Sequence, residues 1–396
     1  MLPRHAQARL QRLALGFPVV VLTGPRQSGK TTLARATFPA HAYVSLEDPD
    51  VRERVAGDPR AFLAAQRAGV VIDEVQRVPQ LLSYLQTAID DAAADGAMGR
   101  FILTGSQNLL LSAAVGQSLA GRAGYLELLP LAYAEATSHF AALDLDECLV
   151  RGAYPALLSR PVSAADWHAS YVASYVERDV RQISRIADLL QFQRFMRFMA
   201  ARTGQMLNLN AVANDLGIAQ TTARDWLAVL EASYIVFRLL PYHTNFGKRL
   251  VKTPKLYFHD TGLAAWLLGV TDAKAMATHA MRGALFENMM VSEYFKYCRH
   301  HGFNHGLYFW RDNIGTEIDL LIERAGTLWP VEMKSGATFQ DEWLRGLRTW
   351  SRHAAGAERG KGLLVCSVPG HFEHQGVVVS HWRDALLGLV TPADPT

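Results

Sequence analysis

Long apolar runs are missing from this 396-residue sequence. None approaches the roughly 18 to 20 residues that a membrane-crossing helix requires, so no membrane span is expected. The weakly basic start leads straight into an apolar stretch of strand character, which does not suggest a cleaved signal. Cysteine is scarce: Cys148, Cys298 and Cys366 stand far apart without metal-ligand spacing. That spacing argues against a zinc cluster or a disulfide framework and fits a reducing cytoplasm. Charge of one sign is lacking too. A net charge of +3 leaves no global field, so any affinity for nucleic acid must come from local patches. Repeats and low-complexity segments are also wanting. What is present is a chain 49% hydrophobic, long enough for two or three domains with substantial cores.

The apolar run Val19-Val20-Val21-Leu22 feeds into Gly24, Pro25, Arg26, Gln27, Ser28, Gly29, Lys30, Thr31 and Thr32. This is a GxxxxGK[ST] loop set between a strand and a helix. In that context backbone N–H groups close around phosphates, and the positive end of the helix adds to their field. Lys30 is expected to reach the terminal phosphates and Thr31 to place its hydroxyl on Mg2+. A second buried-strand pattern, Val70-Val71-Ile72, ends in Asp73 and Glu74. Parallel strands covered on both faces read as unbroken apolar runs, and ligands lie beyond their carboxyl ends. Asp73 is the expected magnesium partner and Glu74 the expected base that orients an attacking water. The adjacent pair points to hydrolysis rather than nucleotide storage.

A third strand from Phe101 ends in Thr104, Gly105, Ser106 and Gln107. Thr104, Ser106 or Gln107 can hydrogen-bond the terminal phosphate or the water, with Gln107 the favoured sensor. Arg122, after Leu119-Ala120-Gly121, either supplies charge to a neighbouring subunit's transition state or is a surface arginine paired with an acid. Alternation of buried strands with amphipathic helices over residues 1–135 predicts an α/β fold, a mostly parallel sheet with helices on both faces.

These segments carry a resemblance. Gly24 to Thr32, Val70 to Gln76, Leu103 to Gln107, and Leu119 to Arg122 followed by Glu127 to Leu131 occur in the order seen in a bacterial and archaeal branch of the AAA-type (AAA+ superfamily) P-loop ATPases. Tyr175-Val176-Glu177-Arg178-Asp179-Val180 is similar to a further YxERDV segment of that family. The resemblance covers nearly the whole chain, the later half corresponding to a domain of unknown function. It implies ATP and Mg2+ as cofactors, ATP hydrolysis through Lys30, Glu74, Gln107 and Arg122, and a homo-oligomer such as a hexameric ring.

Beyond the ATPase core the pattern changes. Residues 136–200 are predicted helical, a lid or linker on which Tyr171, Ser174, Arg178, Arg181 and Arg185 share a face. That face either touches phosphates or is solvated and acid-paired. Over residues 201–275 a short helix from Ala211 to Leu216, a turn at Gly217 and a second helix from about Thr221 fit a helix-turn-helix. Gly247 to Lys255 fits a following wing with four cations in nine residues, Lys248, Arg249, Lys252 and Lys255. The second helix offers Arg224 but also Asp225 and Glu231, a poor set for reading base edges. Either the wing makes sequence-independent contact with DNA backbone or the winged helix is structural.

Residues 276–396 form the last predicted domain. Gly315 to Ile322 and Leu328 to Lys334 read as a strand hairpin, and period-two alternation puts Glu332 and Lys334 on one face. Asp319, Glu332 and Lys334 thus resemble the D…ExK arrangement of the restriction-endonuclease-like (PD-(D/E)xK) fold, with Glu287, at the start of an amphipathic helix, as a further acid. The resemblance implies a second Mg2+ or Mn2+ and metal-dependent cleavage of DNA; the alternatives are a buried salt-bridge cluster serving binding or assembly, and ordinary cross-strand charge pairing. Taken together, the expectation is a cytoplasmic, homo-oligomeric, DNA-binding ATPase in DNA processing, repair of branched DNA, or defence. The opposing expectation is an ATP-dependent regulatory switch that binds a protein partner.

Overall fold

The computed structural model describes residues 2–91, 98–105, 119–141, 143–176, 188–242, 253–353 and 358–388. The chain divides into two compact units. The first is Met1–Leu131 with Ala232–Tyr234 and Arg299–Gly302; the second is Ala132–Glu231 with Ile235–Cys298 and Phe303–Thr396. Among the described residues no helix is long and apolar enough to cross a membrane.

The first unit is built on β1 (Val19–Thr23), β2 (Ala42–Ser45), β3 (Val70–Asp73), β4 (Phe101–Gly105) and β5 (Ala123–Glu127), a parallel sheet in the order β2-β3-β4-β1-β5. Successive side chains of a strand point to opposite faces. Val19, Val21, Val70, Ile72, Phe101 and Leu103 therefore pack on one side with Val55, Leu63 and Leu85 of the covering helices. Val20, Leu22, Val71 and Ile102 pack on the other with Leu10 of the helix Ala6–Gly16 and Leu33 of the helix Lys30–Thr37. Cover on both faces explains why β1, β3 and β4 open as unbroken apolar runs. The strand order also matters for chemistry, because β4 stands between β1 and β3. The carboxyl ends of the strands bearing the phosphate loop, Thr104 and Asp73 are thereby brought side by side.

In the second unit the helices Leu189–Ala200, Leu209–Leu216 and Gln220–Ala232 precede the antiparallel pair β6 (Val236–Pro241) and β7 (Lys255–Phe258). Asn208 caps the second helix through the backbone N–H groups of Asn210 and Ala211, and Gly217 ends it at a left-handed φ of 65°. Trp226 meets Phe192 and Phe195 edge-on, each at a centroid distance of 5.5 Å. The helix Arg282–His301 follows; the predicted opening at Phe286 lies inside it. Then come β8 (Gly306–Arg311), β9 (Glu317–Arg324), β10 (Thr327–Lys334), β11 (Gly362–Cys366), β12 (His371–His374) and β13 (Val377–His381). β8, β9 and β10 are antiparallel neighbours, whereas β11 lies parallel to β10 and is reached through the helix Arg345–His353. The predicted hairpin is thus β9 and β10, turning at Ala325 and Gly326, both at positive φ as a two-residue hairpin turn requires.

The sheet runs across the predicted domain division at residue 275. β6 lies parallel to β8 through Leu240↔Tyr308 and Pro241↔Phe309, giving the single order β12-β13-β11-β10-β9-β8-β6-β7. Pairing in this way satisfies the backbone edges that β6 and β8 would each leave open.

β7 is the last strand of that sheet; residues 204–207 pair with part of its outer edge, and Asn288 takes up the backbone of Phe258. This fully buried side chain accepts from the Phe258 N–H at 2.7 Å and the Thr203 hydroxyl at 2.7 Å, and donates to the Phe258 carbonyl at 2.9 Å. Asn288→Leu orphans both backbone groups of Phe258, and each orphaned buried group costs about 1–3 kcal/mol. Urea unfolding of the variant is expected to show a loss of about 2–5 kcal/mol with an unchanged denaturant slope.

Candidate functional site

The phosphate loop follows β1 with a backbone few residues can adopt. Gly24 has φ 143°, and a Cβ there would lie 2.1 Å from the Leu128 carbonyl oxygen. Gln27 at φ 64° and Gly29 at φ 92° complete the turn into the helix Lys30–Thr37. Pro25, Arg26, Ser28 and Lys30 are buried, whereas Thr32 is exposed. Lys30 Nζ donates to the carbonyl oxygens of Gly24 at 2.9 Å and Pro25 at 2.7 Å. The Arg26 guanidinium lies 3.8 Å from the Glu47 carboxylate.

Asp73 emerges from β3 into a set of hydroxyl donors. Thr31 Oγ1 donates to Asp73 Oδ1 at 2.9 Å, Thr104 donates to the same oxygen, and the Tyr43 hydroxyl donates to Oδ2 at 3.0 Å. Burial, followed by the charge of Asp73, raises the Tyr43 phenol above its ordinary pKa. Glu74 has a left-handed backbone, φ 55°, and its buried carboxylate accepts from the side-chain amide of Gln76. Thr31 and Asp73 present hard oxygen donors side by side, a set that fits Mg2+, and Lys30 stands at a helix start suited to phosphate. The residues present therefore fit ATP with Mg2+.

Ser106 and Gln107 lie outside the described residues; Thr104 is the member of that group joined to Asp73. Arg122 shows the acid-paired alternative. Its guanidinium makes two bonds to Asp90, 2.7 and 2.9 Å, and its carbonyl accepts from the Val19 N–H at the start of β1, the strand end opposite the phosphate loop. Arg4 was not marked by any motif. Buried, it donates to the Ser28 carbonyl at 2.6 Å and the Leu129 carbonyl at 2.7 Å, tying the loop to the segment after β5.

A second cluster forms in the second unit, where Glu287, Asp319, Glu332 and Lys334 come together. Lys334 Nζ lies 2.6 Å from Glu332 Oε1 and 4.0 Å from Asp319 Oδ2, and Asp319 Oδ2 also accepts from the Met333 N–H at 2.9 Å. Burial, then the charge of Asp319, pushes the Glu332 carboxyl up to about 8. Burial likewise raises Glu287 to about 7 against the opposing pull of Lys255.

That lysine corrects the expectation that Lys255 contacts DNA. Lys255 is 2% exposed, bonded to Glu287 Oε1 at 2.8 Å and to Glu317 Oε1, while Tyr257 donates to Glu287 at 2.5 Å. Having been drawn into the sheet by these acids, it offers no cation to DNA. Carboxylate oxygens of Glu287, Glu317 and Asp319 lie within 4.8 Å of one another, but an ammonium already bonds two of the three. A second Mg2+ or Mn2+ does not fit among those three as they stand, while Glu332 Oε2 is buried without a hydrogen-bond partner. Arg224 is exposed beside the exposed Asp225. Lys248, Arg249, Lys252, Arg178, Arg181 and Arg185 lie outside the described residues.

The contacts of Arg4 generate a test of loop positioning. Arg4→Ala removes two charge-assisted bonds to backbone carbonyls, each worth about 1.5–3 kcal/mol. ATP affinity, measured by calorimetry, is expected to fall by about tenfold or more while the fold persists.

Comparison with known proteins gives three family matches along the chain. A family model described as an AAA domain matches residues 16–137, and two described as domains of unknown function (DUF8612 and DUF4143) match residues 142–274 and 282–384. Among solved structures, a Walker-type ATPase of Pyrococcus abyssi is 16% identical with a TM-score of 0.46, covering 67% of this chain and 96% of that one. A RuvB variant of Thermotoga maritima is 20% identical with a TM-score of 0.32, covering 59% of this chain and 88% of that one. The uncharacterized proteins Rv2008c of Mycobacterium tuberculosis and Mb2031c of Mycobacterium bovis are each 33% identical over 339 residues, 85% of this chain and 74% of theirs. With that identity over that span, and with an AAA domain that holds the phosphate loop and Asp73, this chain belongs to the family of these mycobacterial proteins and carries a P-loop ATPase domain of the AAA type.

Proposed function

We propose that the chain is a Mg2+-dependent ATP hydrolase whose nucleotide cycle acts on DNA. The observation that carries the ATPase reading is the convergence of Lys30, Thr31, Thr104, Asp73 and Glu74 at the carboxyl ends of neighbouring strands. Lys30 would exchange its loop carbonyls for oxygens of the terminal phosphates. Thr31 and Asp73 would hold Mg2+, which when bound neutralises phosphate charge. Glu74, steadied by Gln76, would orient the attacking water and take its proton. Gln107 is kept as a sensor of the terminal phosphate. We take the working form to be a cytoplasmic homo-oligomer, with a hexameric ring as one arrangement and with Arg122 as its candidate for sharing active sites.

The DNA reading is supported by the three helices that lead into the β6–β7 hairpin, an arrangement similar to a winged helix. The connection between those strands carries Lys248, Arg249 and Lys252, and Arg224 is exposed on the helix before it. Such contacts suit phosphate backbone rather than base edges. DNA processing, branched-DNA repair and defence all fit a motor of this kind. A second reading, a regulatory switch that binds a protein partner, is favoured by one observation: Glu287, Glu332 and Lys334 are engaged in ion pairs, as a unit serving assembly would have them.

ATP hydrolysis measured with and without duplex, forked and junction DNA separates the two readings. One DNA structure is expected to stimulate hydrolysis and to shift in a gel at low salt. Replacing Lys248, Arg249 and Lys252 by alanine is expected to abolish the shift and to reduce its salt slope by about 0.9 per lost phosphate contact. Absence of any shift or stimulation would leave the protein-partner reading.

A further inference from the structure

We infer that Lys255 takes the place of the divalent cation in a nuclease-like centre, so that Glu287, Glu317 and Asp319 form a metal-excluding cluster around a tethered ammonium. A carboxylate cluster of this spacing would ordinarily gather a cation from solution, because oxygen ligands converging at 2.0 to 2.6 Å define a Mg2+, Mn2+ or Ca2+ site (about these distances for hard cations). Here the cation is supplied by the chain. Lys255 Nζ lies 2.8 Å from Glu287 Oε1 and is bonded to Glu317 Oε1, and its side chain is only 3% exposed. The remaining capacity of those acids is also taken up: Tyr257 donates to Glu287 at 2.5 Å, and Arg311 donates to Glu317 Oε2 at 2.8 Å. Outside that set, Asp319 Oδ2 accepts from the Met333 N–H, and Lys334 bonds Glu332 Oε1 but leaves its buried Oε2 without a hydrogen-bond partner.

The ammonium is fixed from its backbone outward. Lys255 pairs with Leu239 across the hairpin and forms a bridge with Met206 on its other side, so β7 holds its Cα from both edges. Glu287 projects from the helix that Asn288 bolts to the same strand. A metal ion could enter only by displacing the ammonium. That step leaves a buried cation without its counter-charges, a cost of several kcal/mol. The cluster therefore binds its own chain, and the unit keeps a nuclease-like topology without a metal to activate water. This inference stands apart from the ATPase and DNA readings, since it concerns none of their residues apart from Lys255, which is already removed from the DNA face.

Mn2+ binding to the nucleotide-free full chain, followed by electron paramagnetic resonance of the free ion, tests it. Asp73 contributes equally in every sample. Wild type, Asp319→Asn and Glu287→Gln are expected to give the same isotherm. Lys255→Met, which keeps the stem and removes the charge, is expected to gain one further Mn2+ per chain, bound about tenfold or more tighter than any in wild type. Adding Asp319→Asn to Lys255→Met is expected to remove that gain. A wild-type isotherm that weakens with Asp319→Asn or Glu287→Gln overturns the inference, as does a cooperatively melting Lys255→Met chain that gains no ion. Should Lys255→Met fail to fold, the comparison of wild type with Asp319→Asn and Glu287→Gln decides the matter alone.

Discussion

A buried charge left without a partner costs several kcal/mol, and both sheets of this chain are organised by that constraint. In the five-stranded sheet, Asp73 leaves the end of an apolar strand and is met by hydroxyls from Thr31, Thr104 and Tyr43. Lys30 is met by two carbonyls of its own loop. In the eight-stranded sheet, Glu287, Glu317, Asp319 and Glu332 are met by Lys255, Arg311 and Lys334. Lys30, Lys334 and Arg311 find their partners nearby in sequence, but the partners of Asp73 and Lys255 come from remote elements, so those contacts exist only when the strand order is correct.

The kind of partner separates the two sites chemically. A hydroxyl hydrogen bond to a carboxylate is worth about 1.5–3 kcal/mol net and moves no charge when it is exchanged for coordination to a metal ion. On the proposed reading, Asp73 and Thr31 would trade one another for Mg2+. A tethered ammonium in a buried site is a charge that cannot be sent back to water cheaply. On the inference drawn above, Lys255 would close the second site against the ion that the first is proposed to take. One chain thus holds two acid clusters at strand ends, and the neutral or cationic character of their donors assigns them opposite behaviour.

Much of this was legible in the sequence, and the division between legible and illegible follows contact range. The strand, loop and helix around Lys30 are contiguous, and Asp73-Glu74 closes an apolar run, so both could be read locally. Asp319, Glu332 and Lys334 were legible because a two-residue turn joins their strands. Lys255 was not: its cationic neighbours suggested a wing, whereas its actual partners, Glu287 and Glu317, lie on a later helix and strand. The Glu287 bond alone spans 32 residues. Arg4 reaches Leu129 across 125 residues, and no local pattern announces such a contact. The pairing of β6 with β8 was hidden for the same reason, since strand neighbours across a long connection leave no periodic trace. Arg122 pairs with Asp90, on the helix Leu81–Asp91, a contact 32 residues away that the sequence could only offer as one of two alternatives.

Assignment of Glu74 as the base beside a functional phosphate loop is the claim on which the function rests. Single-turnover hydrolysis of ATP by Glu74→Gln chains in the presence of Mg2+ tests it most directly. ATP should bind with near wild-type affinity while hydrolysis falls by about a hundredfold or more, the scale of a lost general base. A Glu74→Gln chain that hydrolyses ATP at the wild-type rate, or a wild-type chain that binds ATP without hydrolysing it, would contradict that assignment.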